Sequence, residues 1–331
     1  MGGIKIMLGN ENLKLLPHQP SAYKFLAEGF ASGINRAHND PAGTGKTLPA
    51  LLCAREYTPQ GRITLYVTLA SAKFQIPAEC ERFDIQFTPK VLNGNKTARL
   101  NALGALEKDR VDLLVVNYEQ ILLHPEELAN LPLSVIIADE CTRLSNQKNK
   151  TWKYLFYIAE KTKARRIAMT GTPITNSPLE AWPLFTWLNP GSLGRFYSFA
   201  STYMAPTGFS MFGAIRTDRL SHLAGRLQPY YIRRSREELL PDLPELLEQT
   251  IPVELSDKEK KLYDQLKKEL LFEIEKSAIN KIDSPHTIQN GIVKFLRLRE
   301  CADSLELLGE SNKSSKMEAL KELLDTYNIK H

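Results

Sequence analysis

The chain has 331 residues, 43% hydrophobic and 24% charged, which is the balance of an ordinary globular protein with room for one large domain and an appendage. Lys and Arg outnumber Asp and Glu by 43 to 38, a surplus that permits a nucleic-acid partner without arguing for one, because phosphate affinity follows clustered charge. No apolar run nears the roughly 18 residues of a membrane span, and Met1 to Asn12 is too short an apolar stretch for a signal peptide, so a cytoplasmic protein with no membrane partner is expected. Cys53, Cys80, Cys141 and Cys301 are scattered, with no CxxC pair and no histidine cluster, which implies neither a disulfide frame nor a zinc site.

From Lys14 to about Pro190, short apolar runs alternate with helical patterns. Tyr23, Leu26, Ala27 and Phe30 recur at i, i+3, i+4 and i+7, as on one face of a helix. Ile63 to Leu69, Val111 to Asn117, Ser134 to Asp139 and Arg166 to Thr170 read as strands buried on both faces. This alternation predicts an α/β fold, a parallel sheet flanked by helices. An earlier strand, Ile34 to Asn39, contains Asn35, Arg36, His38 and Asn39 and is polar for a buried position. Beyond Pro190 the stretch is irregular, and Thr250 to Leu255 reads as a short strand. Ser256 followed by Glu259 has the capping-box spacing of a helix start, with Leu262, Leu266, Leu270 and Ile274 along one face of that helix. Further helices are predicted over Ile292 to Leu305 and Lys316 to Tyr327, with a loop at Gly309 to Ser315. The expected division is a core at 1–190, an irregular insertion at 191–255 returning to the core with a last strand, a helical appendage at 256–310 and a linker helix at 311–331.

The strongest local signal is Asp40-Pro41-Ala42-Gly43-Thr44-Gly45-Lys46-Thr47. Gly43 and Gly45 allow a turn tight enough to aim backbone N–H groups at phosphate oxygens. Ala42, Gly43, Thr44, Gly45, Lys46 and Thr47 are therefore the predicted nucleotide cradle, with Lys46 reaching the β- and γ-phosphates and the Thr47 hydroxyl ligating Mg²⁺. The helix beginning there turns its positive dipole end to the same anion. Asp40 stands where the full consensus has its first glycine.

Val135-Ile136-Ile137-Ala138-Asp139-Glu140 is an apolar strand ending in two carboxylates, at the sheet edge that carries ligands in such folds. An isolated Asp-Glu pair is commonly only a solvated turn, but the upstream phosphate loop gives this pair a partner. Asp139 is the expected Mg²⁺ ligand and Glu140 the expected base that orients or deprotonates water. Thr170-Gly171-Thr172-Pro173 follows another apolar strand; taken alone it reads as an ordinary turn, but at this edge its hydroxyls could bond the acidic motif and sense the γ-phosphate.

Together these motifs resemble the Swi/Snf family of helicase superfamily two ATPases, and the likeness covers nearly the whole chain. Leu16-Pro17-His18-Gln19 looks like its opening motif, which implies Gln19 as the adenine reader. The loop from Asp40 to Thr47 matches a loop that in this family begins with aspartate. Ser71, Glu79 and Phe83 fit the next motif, although Ile76 replaces the usual tryptophan, and Val116 to Glu119 fits a tyrosine-glutamate segment. Asp139 to Asn146 resembles the acidic, DEAD-like box. Thr142 stands there in place of a histidine that couples hydrolysis to a second lobe; Thr170 and Thr172 belong to the same coupling set. Thr170 to Pro190 is the most specific match, with Thr175 in place of the usual glutamine. Arg233-Arg234-Ser235-Arg236, Asp242-Leu243-Pro244, Val253 to Ser256, Leu298 to Cys301 and Ser315-Lys316 continue it in order.

The resemblance implies a RecA-like P-loop NTPase fold with a mostly helical appendage, ATP and Mg²⁺ as cofactors, and double-stranded DNA as a partner held by backbone contacts. Lys73 and the basic run Arg233 to Arg236 are the DNA candidates, the plainer readings being a solvated lysine and arginines paired with Glu237 or Glu238; within the run, Arg233 and Arg234 are expected rather to brace the appendage or the nucleotide cleft. It also implies a second RecA-like lobe, absent from this sequence and supplied in cis or in trans, without which ATP hydrolysis is expected to be weak. A restriction-type motor subunit and a nucleotide-gated adaptor without motor activity are the alternatives. Compact motifs and the lack of basic tails point to a bacterial or viral-host cytoplasm.

Overall fold

Apolar runs buried on both faces can satisfy their backbone only by pairing with one another, and here they pair in parallel. The computed structural model describes residues 15–208, 210–241, 249–280, 285–309 and 314–326, and the chain divides into two compact units, 1–243 and 244–331.

In the first unit, strands β1 (Arg36–His38), β2 (Ile63–Thr68), β3 (Pro89–Val91), β4 (Leu113–Asn117), β5 (Leu133–Asp139) and β6 (Arg165–Met169) join a two-residue β9 (Tyr231–Ile232) in one sheet ordered β3-β4-β2-β5-β6-β1-β9. Every pairing in it is parallel. The period-two rule sends alternate residues to opposite faces. Leu65, Val67, Ile136 and Ala138 enter one core, while Tyr66, Val135, Ile137 and Met169 enter the other. The second core is closed by α1 (Gln19–Ala31) and α2 (Thr47–Glu56), and the first by helices that include α7 (Lys150–Thr162) and α8 (Ala181–Leu188). The intervening helices are α3 (Gln75–Arg82), α4 (Lys96–Gly104), α5 (Tyr118–Leu123) and α6 (Pro125–Ala129). Helix α9 (Phe196–Tyr203) leads into an antiparallel hairpin, β7 (Met204–Thr207) with β8 (Ser210–Ile215), and α10 (Leu220–Leu227) returns the chain to the sheet.

The four apolar strands lie where the sequence places them, to within two residues. The polar strand β1 now has a physical account. Asn35, just before it, exchanges amide bonds with Asn189: Asn35 N donates to Asn189 Oδ1 at 2.9 Å, and Asn189 Nδ2 donates to Asn35 O at 2.8 Å. Asn35 also donates to Leu188 O and accepts from Arg166 N, both at 2.8 Å. Arg36 lies over the Phe25 ring, 4.2 Å from its centroid, and donates to Phe25 O at 2.6 Å. Asn35 and Arg36 are thus intramolecular ties rather than misplaced surface, whereas the buried Asn39 side chain has no hydrogen-bond partner among the described residues.

One expectation is corrected. Residues 249–256 contain no strand, and the strand that closes the sheet is β9, some twenty residues earlier. The second unit consists of α12 (Asp257–Asn280), α13 (Pro285–Asp303) and α14 (Ser315–Thr326), α11 (Arg236–Leu239) being the last helix of the first. Its predicted capping box is present: Ser256 N donates to Glu259 Oε2 at 2.8 Å, and Glu259 N to Ser256 Oγ at 3.4 Å. Glu259 also accepts from Ser315 N at 3.0 Å and from the Ser315 hydroxyl, which ties the starts of α12 and α14 together. Burial would raise this carboxyl, but these bonds hold it down at about 2. Among the described residues no helix is long and apolar enough to cross a membrane.

Candidate active site

The phosphate loop leaves β1 at the carboxyl edge of the sheet. Asn39 N donates to Ile232 O at 2.8 Å, and Asp40 turns fully inward. Gly43 and Gly45 take φ of +80° and +73°, the left-handed region that a side chain resists. Gly45 has a second reason to be glycine, because a Cβ there would sit 2.6 Å from Gln19 Nε2. Gln19 itself donates to Gly45 O at 3.1 Å and accepts from Leu16 N at 2.9 Å. His18 Nε2 lies 2.8 Å from Thr44 O. The Leu16 to Gln19 turn therefore props the loop from behind, and Gln19 keeps one N–H and one lone pair for another partner.

Across the sheet edge, Asp139 Oδ2 accepts from Tyr66 and Thr68 hydroxyls, each at 3.1 Å, and Asp139 Oδ1 accepts from Glu140 N at 3.0 Å. The Thr47 hydroxyl acts against burial on the Tyr66 phenol, which puts the loop and the acidic motif on either side of Tyr66. Burial raises the Asp139 carboxyl, against the pull of Thr68, Tyr66, the Glu140 N–H and the Lys46 charge. Burial and then the Asp139 charge raise Glu140 as well, and Lys46 again opposes. Lys46, Thr47, Asp139 and Glu140 thus share one electrostatic neighbourhood. Lys46 Nζ meanwhile donates to Pro41 O at 3.0 Å. Glu140 sits at φ +46°, a strained backbone for a non-glycine residue that turns it sharply off the end of β5.

The Thr170 to Pro173 turn packs on the same loop: a Cβ on Gly171 would meet Ala42 N at 3.3 Å. Thr170 is fully buried and its hydroxyl accepts from Thr172 N at 3.2 Å. Thr142 is exposed, and its hydroxyl reaches back to Glu140 O at 3.4 Å.

Lys73 lies largely inside the unit. Its ammonium is buried, donating to Leu92 O at 3.2 Å and Asn93 Oδ1 at 3.1 Å, and burial lowers its pKa. One acceptor is a backbone carbonyl and the other a side-chain amide, so two of the three ammonium donors are engaged inside the unit.

Arg234 braces the nucleotide loop, one of the two roles expected of it, and the partner that the sequence did not name is Asp40. Its Oδ1 accepts from Arg234 N at 3.0 Å and Arg234 Nε at 3.3 Å, and its Oδ2 accepts from Arg234 Nη2 and from His38 Nε2, the latter at 2.8 Å. Arg234 Nη1 goes on to His18 O and the Ser21 hydroxyl. Burial would raise the Asp40 carboxyl, but His38 and Arg234 hold it well below the usual carboxylate range. Burial lowers His38 in turn, so its ring is neutral and donates from Nε2. Tyr66, Thr68 and Tyr118, whose hydroxyl donates to Asp139 O at 2.7 Å, were also missed. Tyr66 gave only the signal of a tyrosine within an apolar run, Thr68 gave none, and Tyr118 was marked by the Val116 to Glu119 segment without its role.

A family model described as SNF2-related domain matches residues 40–307, most of the chain and every part of this site from Asp40 onward. The chain belongs to the SNF2-related family. Its relatives include Switch 2 of Arabidopsis thaliana, 29% identical over 252 residues, which cover 70% of this chain and 29% of that protein. Another is the putative ATP-dependent helicase/translocase YwqA of Bacillus subtilis, 27% identical over 264 residues that cover 77% of this chain and 27% of that protein. The chain spans less than a third of the length of these relatives. The SWI2/SNF2 ATPase core of Sulfolobus solfataricus, solved in complex with dsDNA, has the same fold, with a TM-score of 0.58 and 22% identity over 95% of this chain and 64% of that one.

Proposed function

We propose that this SNF2-family chain is the nucleotide-binding lobe of an ATP-driven translocase on double-stranded DNA. What supports the proposal is that the Lys46 charge acts on both Asp139 and Glu140 at the carboxyl edge of the sheet, with the Tyr66 hydroxyl bonded to Asp139 beside the loop. The donors at hand, one carboxylate and one hydroxyl, are hard oxygens, which fits Mg²⁺ held jointly with substrate phosphates. Thr47 and Asp139 would hold the ion, and when bound it neutralises charge on the transferring phosphoryl group.

The remaining roles fall to the chain's own residues. Backbone N–H groups of the loop from Ala42 to Thr47 and the Lys46 ammonium bind the triphosphate. Gln19, already seated on the loop, offers its free amide edge to the adenine. Glu140, whose raised pKa brings it toward the working range of a base, orients and deprotonates the attacking water. Thr170 and Thr172, packed against the loop through Gly171, and Thr142 beside Glu140 report the state of the γ-phosphate. The relatives' helicase and translocase names and the dsDNA complex of the structural neighbour support the DNA track. The lobe that would complete the cleft, in cis or in trans, supplies arginine fingers worth about 10³ to 10⁵ in rate, so this chain alone turns over slowly.

Steady-state ATPase of the chain, with and without duplex DNA, tests the proposal. Slow Mg²⁺-dependent turnover that Glu140→Gln abolishes, with nucleotide binding retained, is the expected result. No nucleotide binding by the folded protein would refute it.

A further inference from the structure

We infer that Arg236 is a nucleotide-binding residue, a second cation supplied in cis to the polyphosphate held by the loop. The inference deepens the proposed function and rests on it. Three observations place the side chain. The Arg234 contacts described above pin the chain across the first residue of the phosphate loop. One residue on, Ser235 closes a capping box with Glu238 (Glu238 N to Ser235 Oγ at 3.2 Å, Ser235 N to Glu238 Oε2 at 2.8 Å), which fixes the direction in which α11 starts. Arg236, its first residue, then lies over the loop: a Cβ built on Gly43 would be 4.0 Å from Arg236 Nη2.

The chemistry of that position suits an anion. Among the described residues no carboxylate oxygen lies within ion-pair distance of the Arg236 guanidinium, and no hydrogen bond engages it. Glu237 lies within its field but makes no such contact, and Glu238 is committed to Ser235. Arginine presents a planar fork of donors matched to phosphate oxygens, and such charge-assisted bonds are among the stronger ones. The loop glycine that it faces has no side chain to intervene. Lys46 and Arg236 would therefore approach the polyphosphate from different elements of the fold, the start of α2 and the segment that follows β9.

The test uses the full chain and a fluorescent ATP analogue carrying a ribose-linked methylanthraniloyl group, titrated with Mg²⁺ at two salt concentrations. Arg236→Ala is expected to weaken binding about tenfold, equivalent to about 1.4 kcal/mol. It should also flatten the salt dependence and weaken displacement of the analogue by inorganic tripolyphosphate in parallel. Arg236→Lys should retain part of the affinity, because it keeps the charge without the fork. Unchanged affinity in Arg236→Ala overturns the inference. So does an equal loss in both variants accompanied by a lower melting temperature, which would make the residue a structural brace. If the folded wild-type chain fails to bind the analogue, the nucleotide assignment of the whole site falls with it, an outcome distinct from a wild type that binds and a variant that binds equally well.

Discussion

Replacing Arg234 by alanine removes the guanidinium that neutralises a completely buried carboxylate. Stripping one partner from a buried ion pair costs about 3–5 kcal/mol in general, because the remaining charge is left in a poor solvent. Asp40 keeps two of its donors, the Arg234 backbone N–H and His38 Nε2, so the low end, about 3 kcal/mol, applies. For a unit of this size each kcal/mol is worth about 2–4 °C, which predicts a fall in melting temperature of roughly 6–12 °C. The loss should also depend on pH. In the wild type the folded pKa of His38 lies below its unfolded value near 6.5, so acid protonates the unfolded chain first and stability falls as pH drops through that value. The Arg234 charge is one cause of that depression. Without it the folded pKa of His38 rises, the acid penalty shrinks, and the stability gap between wild type and variant should narrow between pH 8 and 5.5. Urea denaturation at several pH values measures both effects. A loss under about 1 kcal/mol, below the usual cost of a buried unpaired group, or a gap that stays constant with pH, would refute the tether.

Two other predictions concern single side chains. Tyr66→Phe deletes a donor to Asp139 worth about 1.5–3 kcal/mol; the Asp139 carboxyl should move further up, and Mg²⁺-dependent nucleotide binding should weaken about tenfold and shift to higher pH, read by the same analogue titration. Unchanged Mg²⁺ dependence would dissociate Tyr66 from the metal ligand. In the second unit, Glu259 is held at about 2 against an unfolded value near 4.3, so its stabilisation, about 3 kcal/mol, is complete above pH 4.3 and lost as pH falls from there towards 2. Hydrogen exchange across 257–303 in the full chain should accelerate with acid over that window beyond its intrinsic rate, and Glu259→Gln should flatten the response.

The parts legible in the sequence are those whose physics is local. A strand buried on both faces must be apolar along its length, so β2, β4, β5 and β6 announced themselves, and glycine spacing exposed the phosphate loop. Ser256 and Glu259 revealed a helix start because a capping box needs only three residues of reach. What failed was non-local. Strands β3 and β9 have three and two residues, too few for a period, and owe their existence to neighbours already in place. Thr250 to Leu255 has strand-like composition but finds no edge to join. The polarity of Asn35, just before β1, made no sense without Asn189, 154 positions away, and the charge of Lys73 gave no hint that the Leu92 carbonyl and Asn93 would bond it. The departure of the loop from consensus at Asp40 was visible, and so was a bracing role for Arg234; that the two are partners was not.

That partner is 194 positions downstream of Asp40. During synthesis at roughly 5–20 residues per second, the ribosome takes about 10–40 s to deliver Arg234 after the phosphate loop has emerged. Throughout that interval the loop carries an acid group with no arginine to match it. A nascent chain can thus assemble most of its sheet while its ATP cradle is still unfinished, and the cradle matures only when the polypeptide has come almost full circle.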